Sequence, residues 1–247
     1  MSSVVDFHTH VLPKIDDGSS SVKESLALLR MEAQQGARRV VATPHFYAQV
    51  DSVKPFLERR ETAVSSLRSA MEDVPNLPKL SVGAEVHYFP GIGDAQILSE
   101  LTIDNGRFVL VEMPMSVWTD KMYRDLENIH KNLGLIPIVA HVDRYIGPLQ
   151  TYGIPERLME LPVIVQANAS FFQRFSTKHM ALRMLEKGQI HILGSDCHNL
   201  KDRTVNIRPT IDLIEKKLGR KAIAQLNACE RWILSEQNKK CNTTRMR

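Results

Sequence analysis

The stretch VVDFHTH, residues 4–10, runs from two β-branched residues into a His-x-His pair. Side chains of an extended segment alternate, so His8 and His10 project to the same side and can share one metal ion. The same design, an apolar run that ends in a polar group, recurs along the chain. The runs are VVDF (4–7), RVVAT (39–43), KLSVGAE (79–85), RFVLVE (107–112), IPIVA (136–140), PVIVQA (162–167) and QIHILG (189–194). Near-continuous apolar runs of this length suit parallel strands buried on both faces.

Helical patterns fill the gaps. Val22, Leu26, Leu29 and Ala33 share one helical face, Ser21 and Glu24 have capping-box spacing, and Gly36 supplies a stop. Residues 52–73 read as a longer second helix. Met122, Leu126, Ile129 and Leu133 form the stripe of a third, closed by Gly134, and further helices are expected around 177–187 and 208–218. Alternating strand and helix with no long linker predicts a single α/β domain over residues 1–235. Seven strands fall one short of a regular eight-stranded barrel, so an irregular barrel is expected, with a doubly wound sheet as the alternative.

The whole chain has 247 residues, 43% hydrophobic and 24% charged, which excludes collagen, coiled coil and wholesale disorder. No run approaches the ~18 apolar residues of a membrane helix. The start, MSSVVDFHTHVLP, has no basic segment followed by an apolar one, so no signal peptide is expected. Cys197, Cys229 and Cys241 form no metal-type pair, which suits a reducing cytoplasm. The net charge of +4 equals the charge of Lys239, Lys240, Arg245 and Arg247 near the C-terminus, so the rest of the chain is formally neutral. A basic, frayed tail over 236–247 is therefore expected, and no nucleic-acid partner.

Six of the seven runs deliver a histidine or carboxylate where they end: His8 and His10, His45, Glu85, Glu112, His141, and Asp196 with His198. In a parallel barrel all these ends open onto one rim. With one aspartate of the Asp16-Asp17 pair, the candidates are five histidines and four carboxylates. That is too many for one tetrahedral ion and suits two or three with bridging carboxylates. Mixed imidazole and carboxylate favours Mn, Fe or Zn over Ca or Mg. Three divalent ions against four carboxylates leave a positive centre, which attracts a phosphate ester.

At these residues the chain resembles the polymerase-and-histidinol-phosphatase superfamily, in the order DFHTH, IDDG, ATPH, GAEV, HVDRY and GSDCH. It is most similar to the CpsB/CapC-type tyrosine phosphatases of capsular and exopolysaccharide systems. The segments IDDGSSSVKESLALLRMEAQQGARRVVATPH, FVLVEMP, HVDRY, SDCHNLKDR and NACERWIL carry that resemblance, which spans roughly residues 4–235. It implies a distorted seven-stranded TIM-like barrel and a trinuclear, usually manganese-dependent site. Position by position it implies His8, His10, Asp17, His45, Glu85, Glu112, His141, Asp196 and His198 as ligands. It also implies that Asp6 orients a ligand histidine. The activity implied is hydrolysis of phosphotyrosine on a protein, with a bacterial tyrosine kinase as partner. A small-molecule phosphatase such as histidinol phosphatase, or a non-catalytic regulatory module, is the alternative.

Arg144, three residues after His141, and Arg203, five after His198, are placed to clamp phosphate with their planar guanidinium groups. Cys197 through Thr204 fits the C-x5-R-[ST] spacing of cysteine-dependent phosphatases. The segment lacks the glycines of a phosphate loop and puts Asp202 beside the supposed phosphate, so the match is read as coincidence. Phe46-Tyr47 follow ATPH where many relatives carry a basic or histidine residue, and they either stack on a substrate ring or pack. His87 follows Glu85 at period two and is a candidate to line the site. His130, His179 and His191 have no assigned role, and Trp118 and Trp232 read as packing residues.

Overall fold

The seven runs fold as nine strands, because two of them break near their polar ends. In this computed structural model residues 4–146 and 153–236 are described. The strands are β1 (Val4–Thr9), β2 (Ala37–Ala42), β3 (His45–Phe46), β4 (Lys79–Val82), β5 (Glu85–His87), β6 (Phe108–Glu112), β7 (Ile136–Val139), β8 (Ile164–Asn168) and β9 (Ile192–Gly194). The helices are α1 (Val22–Gln34), α2 (Val53–Glu72), α3 (Asp120–Leu133), α4 (Ile154–Leu158), α5 (Ala169–Gln173), α6 (Lys178–Glu186) and α7 (Ile207–Glu236).

All pairings are parallel, in a three-stranded sheet β1-β2-β4 and a six-stranded sheet β3-β5-β6-β7-β8-β9. Neither order reverses direction, as a doubly wound sheet would. Thr43-Pro44 separates β2 from β3, and Gly83-Ala84 separates β4 from β5. Pro44 has no N–H to donate, yet its carbonyl accepts from Glu85 N at 3.0 Å and Ala42 O accepts from Gly83 N at 2.9 Å, which carries the pairing across both breaks. At the other edges Asp196 N donates to His8 O at 2.8 Å and His10 N to Cys197 O at 2.9 Å. Backbone hydrogen bonds thus join β1 to the segment after β9.

One apolar cluster gathers Val5, Phe7, Val41, Phe108, Leu110, Ile136, Ile138, Ile164 and Ile192 from six strands, with Ile233 of α7 against them. The other faces of the strands pack under the helices. The α3 stripe is as expected at Leu126 and Ile129, and Gly134 caps the helix at φ 67°. The α1 stripe is not. Its buried residues are Ser25, Leu28, Leu29 and Glu32, while Val22, Leu26 and Ala33 are only partly covered. Two polar side chains on that face displace the apolar pattern by about one residue. Ser21 Oγ accepts from Glu24 N at 3.2 Å, but the Glu24 carboxylate bonds Ser20 N at 2.9 Å, so the capping box closes one residue early.

The last helix continues past 218, through a break at Gly219 (φ 78°), to Glu236. Trp118 is packed as expected, but Trp232 is 44% exposed with its edge against Phe108. Beyond Glu236 the expected basic tail, including Cys241, lies outside the described residues. Among the described residues no helix is long and apolar enough to cross a membrane.

Candidate metal centre

Glu85, at the first position of β5, is 1% exposed and sits among four imidazoles. Its Oε2 lies 3.1 Å from His8 Nε2, 3.3 Å from His10 Nε2 and 3.0 Å from His45 Nδ1, and its Oε1 lies 2.8 Å from His141 Nε2. His8 and His10 do project together from β1, with their Nε2 atoms 3.2 Å apart. Asp196 Oδ1 is 3.5 Å from both. Glu112 Oε1 reaches within 3.4 Å of His141 Nε2, and Asp17 Oδ1 within 3.4 Å of both His45 Nε2 and His198 Nε2. Every residue of the expected ligand set is therefore brought into one cluster.

Three subsets converge tightly enough to hold an ion: His10, Asp17, His45 and His198; His8, His10 and Glu85; and His45, Glu85 and Glu112. The donors fit cations on their own geometry. His45 Nδ1, Glu85 Oε2 and His198 Nε2 are buried with no hydrogen-bond partner, and buried polar atoms without one are rare. Imidazole nitrogens facing one another across a buried carboxylate are what a positive ion would satisfy.

The protonation pattern agrees. Burial alone would raise the Glu85 pKa, but the charge of His8 and the close imidazoles of His10, His141 and His45 hold it well below the usual carboxylate range. Burial opposes charge on His10 and His141, yet Asp16 and Glu85 raise His10 to about 10, and Glu112 and Glu85 raise His141 to about 9. His198 moves the other way, to about 4, through burial and the neighbouring His10.

The backbone is bent to serve the cluster. His141 (φ 30°) and Asp196 (φ 56°) are non-glycine residues at positive φ, a costly conformation that concentrates at functional sites. Gly18 allows the IDDG loop to close on β1, since a Cβ there would lie 2.3 Å from His10 O.

Orientation comes from Asp16, the neighbour of the expected ligand Asp17, and from residues the sequence did not single out. Asp16 Oδ2 lies 2.7 Å from His10 Nδ1 and accepts from His45 N at 3.1 Å. Gln166 Oε1 accepts from His141 N at 2.6 Å and lies 3.3 Å from His8 Nδ1. Tyr145 Oη is 3.2 Å from His141 Nδ1. Asp6 acts on the ligand His8 through the main chain. Its Oδ1 accepts from the amides of His8 (3.1 Å) and Ser195 (2.9 Å), so it positions ligands through the main chain of β1 and the segment after β9. Behind it, Glu32 is wholly buried, and burial followed by the charge of Asp6 pushes its pKa well up. The one signal for Glu32 is its place on a helix face that must be covered, and an acid there reads by itself as solvated.

Arg144 and Arg203 both reach Asp196. Arg144 Nη2 lies 2.5 Å from Oδ2 and Arg203 Nη2 2.8 Å from Oδ1, and Arg144 Nη1 is 3.5 Å from Glu112 Oε1. Each is about one third exposed, so the two guanidinium groups stand at the mouth with donors free to turn outward. Cys197 is 0% exposed, and burial with the charges of Glu32 and Asp6 pushes its thiol well up. A buried neutral thiol is no nucleophile, in keeping with the reading of its motif as coincidence. His87 does line the site, with Nδ1 3.1 Å from Glu112 Oε2.

The family model described as capsular polysaccharide synthesis, CpsB/CapC, matches residues 4–231. The chain is 28% identical to tyrosine-protein phosphatase CpsB of Streptococcus pneumoniae, over 90% of this chain and 94% of that one. It is also 28% identical to tyrosine-protein phosphatase YwqE of Bacillus subtilis (strain 168), over 87% and 85%. Among solved structures, a chain from the crystal structures of YwqE from Bacillus subtilis and CpsB from Streptococcus pneumoniae, described as unique metal-dependent tyrosine phosphatases, matches with a TM-score of 0.75. It does so at 21% identity, covering 91% of this chain and 94% of that chain, and so shares the fold.

Proposed function

The chain belongs to the CpsB/CapC family of capsular polysaccharide synthesis proteins, and on that premise we propose that it is a metal-dependent phosphatase acting on phosphotyrosine in proteins. The observation that carries this reading is the gathering of eight ligand-type side chains around Glu85, with two arginines at its mouth. Its relatives named as tyrosine-protein phosphatases support the substrate class. The two sheets, joined by the backbone bonds between β1 and the segment after β9, are read as one distorted seven-stranded barrel forming a single domain over residues 1–235.

His8, His10, Asp17, His45, Glu85, Glu112, His141, Asp196 and His198 would hold two or three divalent ions; the donor set suits Mn, Fe or Zn, and the family resemblance favours Mn²⁺ among them. Bound ions would offset the negative charge of the phosphate and acidify a water toward neutral pH. Arg144 and Arg203 turn from Asp196 to the non-bridging oxygens of the phosphate and hold charge as it develops there. Asp16, Gln166 and Tyr145 keep the imidazoles in place, so no reorganisation is needed during reaction. Hydrolysis exchanges the phosphorus bond to the phenolic oxygen for one to the oxygen of water, with no covalent protein intermediate. Tyrosine, with a pKa of about 10, leaves more readily than an aliphatic alcohol. The natural substrate in this reading is a bacterial tyrosine kinase that governs capsule or exopolysaccharide synthesis, met in the cytoplasm.

The test is phosphate release from a phosphotyrosine peptide by metal-stripped protein, with and without Mn²⁺. Activity restored by Mn²⁺ is the expected result. Activity indifferent to stripping would return the chemistry to Cys197, and no release in either state would remove phosphotyrosine as substrate.

A further inference from the structure

Two rows of side chains cross the rim between β3, β5 and β6. In the inner row His45 pairs with Glu85, both in the metal cluster. Two residues further along β5, His87 pairs with Glu112. Alternation returns the side chain at each second position to the same face, so Tyr47 follows His45 as His87 follows Glu85. The contacts bear this out: the Tyr47 ring lies 5.4 Å from the His87 ring and 5.4 Å from the His45 ring. Tyr47 and His87 therefore form an outer row, one strand repeat beyond His45 and Glu85, and Glu112 joins it to the cluster through its contact with His87.

The intervening residue behaves differently. Phe46 is 1% exposed and packs edge-on against Phe56 in the core. Tyr47 is 37% exposed, and the His87 side chain is 33% exposed. Tyr47 makes ring contacts only with the two histidines, and no hydrogen bond holds its hydroxyl among the described interactions.

We propose that Tyr47, with His87 beside it, is the specificity-determining ledge of this site, on which the ring of an aryl phosphate monoester rests while its phosphate lies on the cluster below. This rests on the phosphotyrosine reading and deepens it. An aromatic group joined directly to the phosphate oxygen leaves the inner row across the outer one, and there it meets a phenol ring and an imidazole on which it can stack. An alkyl phosphate crosses the same row without a π-face to offer. Phe46 has no part in recognition.

The experiment compares wild type with Tyr47→Leu and Tyr47→Phe, using KM and kcat for a phosphotyrosine peptide and inhibition constants for benzylphosphonate and methylphosphonate. Tyr47→Leu is expected to raise KM and the benzylphosphonate constant by roughly three- to tenfold, the range of one aromatic pair, with kcat within about twofold. Methylphosphonate inhibition stays the same in all three proteins, and Tyr47→Phe behaves as wild type. Equal shifts for both phosphonates, or no shift for either, would overturn the ledge. If Tyr47→Leu is misfolded by circular dichroism, Tyr47→Ser replaces it under the same criteria. Wild type that leaves the peptide intact but binds benzylphosphonate more tightly than methylphosphonate would sink the phosphotyrosine reading and leave the ledge standing.

Discussion

Asp16 Oδ2 lies 2.7 Å from His10 Nδ1, while its neighbour Asp17 is 64% exposed at the side chain and points Oδ1 between His45 and His198. Two adjacent acids thus have separate tasks: Asp16 aims an imidazole from behind, and Asp17 meets the cluster from the front. Asp16→Asn is expected to weaken metal affinity by about 10- to 100-fold, the usual cost of losing such a partner. Titration of Mn²⁺ into metal-stripped protein measures it. Unchanged affinity would mean that Asp16 serves only the loop.

Loading ions must displace protons. In the ion-free protein His10 and His141 titrate at about 10 and about 9, so both are charged at pH 7, and ligation requires them neutral. Affinity should therefore rise with pH between 7 and 9, by up to about tenfold per unit for each proton released. Calorimetry in buffers of different ionisation enthalpy counts those protons. A binding enthalpy independent of the buffer would refute the linkage.

Asp196 accepts from both Arg144 and Arg203, and those contacts must be surrendered to a phosphate. Arg144→Lys and Arg203→Lys are each expected to lower kcat/KM by about 10²- to 10³-fold, because a lysine cannot reproduce the fork. Metal content should stay that of wild type, which a metal assay on the same samples checks. Loss of metal together with activity would assign the arginines to holding Asp196 rather than the substrate.

Far from the rim, Glu230 on α7 is 3% exposed, and burial raises its pKa to about 7, against 4.5 for a glutamate in water. The folded state thus holds a proton that the unfolded chain releases. Its contribution to stability is intact below pH 4.5, declines as pH rises to about 7 and levels off above, by an amount on the order of 3 kcal/mol at most. Glu230→Gln should flatten that decline, as denaturant melts of metal-stripped protein at about pH 5, 6 and 8 would reveal. A variant that keeps the wild-type slope would place the titration elsewhere.

Much of this molecule is written in local patterns. Each apolar run ends in a polar group because the body of a buried strand excludes water and its end does not, so VVDFHTH, GAEV and GSDCH announce strand and ligand together. Period two places His8 with His10, and Glu85 with His87, without any knowledge of the fold. The sequence by itself therefore determined the α/β alternation and the members of the cluster, helped by resemblance at Asp17. What only the tertiary structure decided are relations across long separations. Gln166 meets His8 158 residues away, Asp6 meets the Ser195 amide 189 residues away, and Glu32 lies behind Asp6 on a helix face that looks solvated in one dimension. A glutamine or glutamate carries no local signal of such a partner, since the distance between them is set by strand order and register. The break of two strands at Thr43-Pro44 and Gly83-Ala84, and the turn of Phe46 into the core while Tyr47 stays at the mouth, were decided in the same way, by which neighbour each residue meets once the sheets have formed.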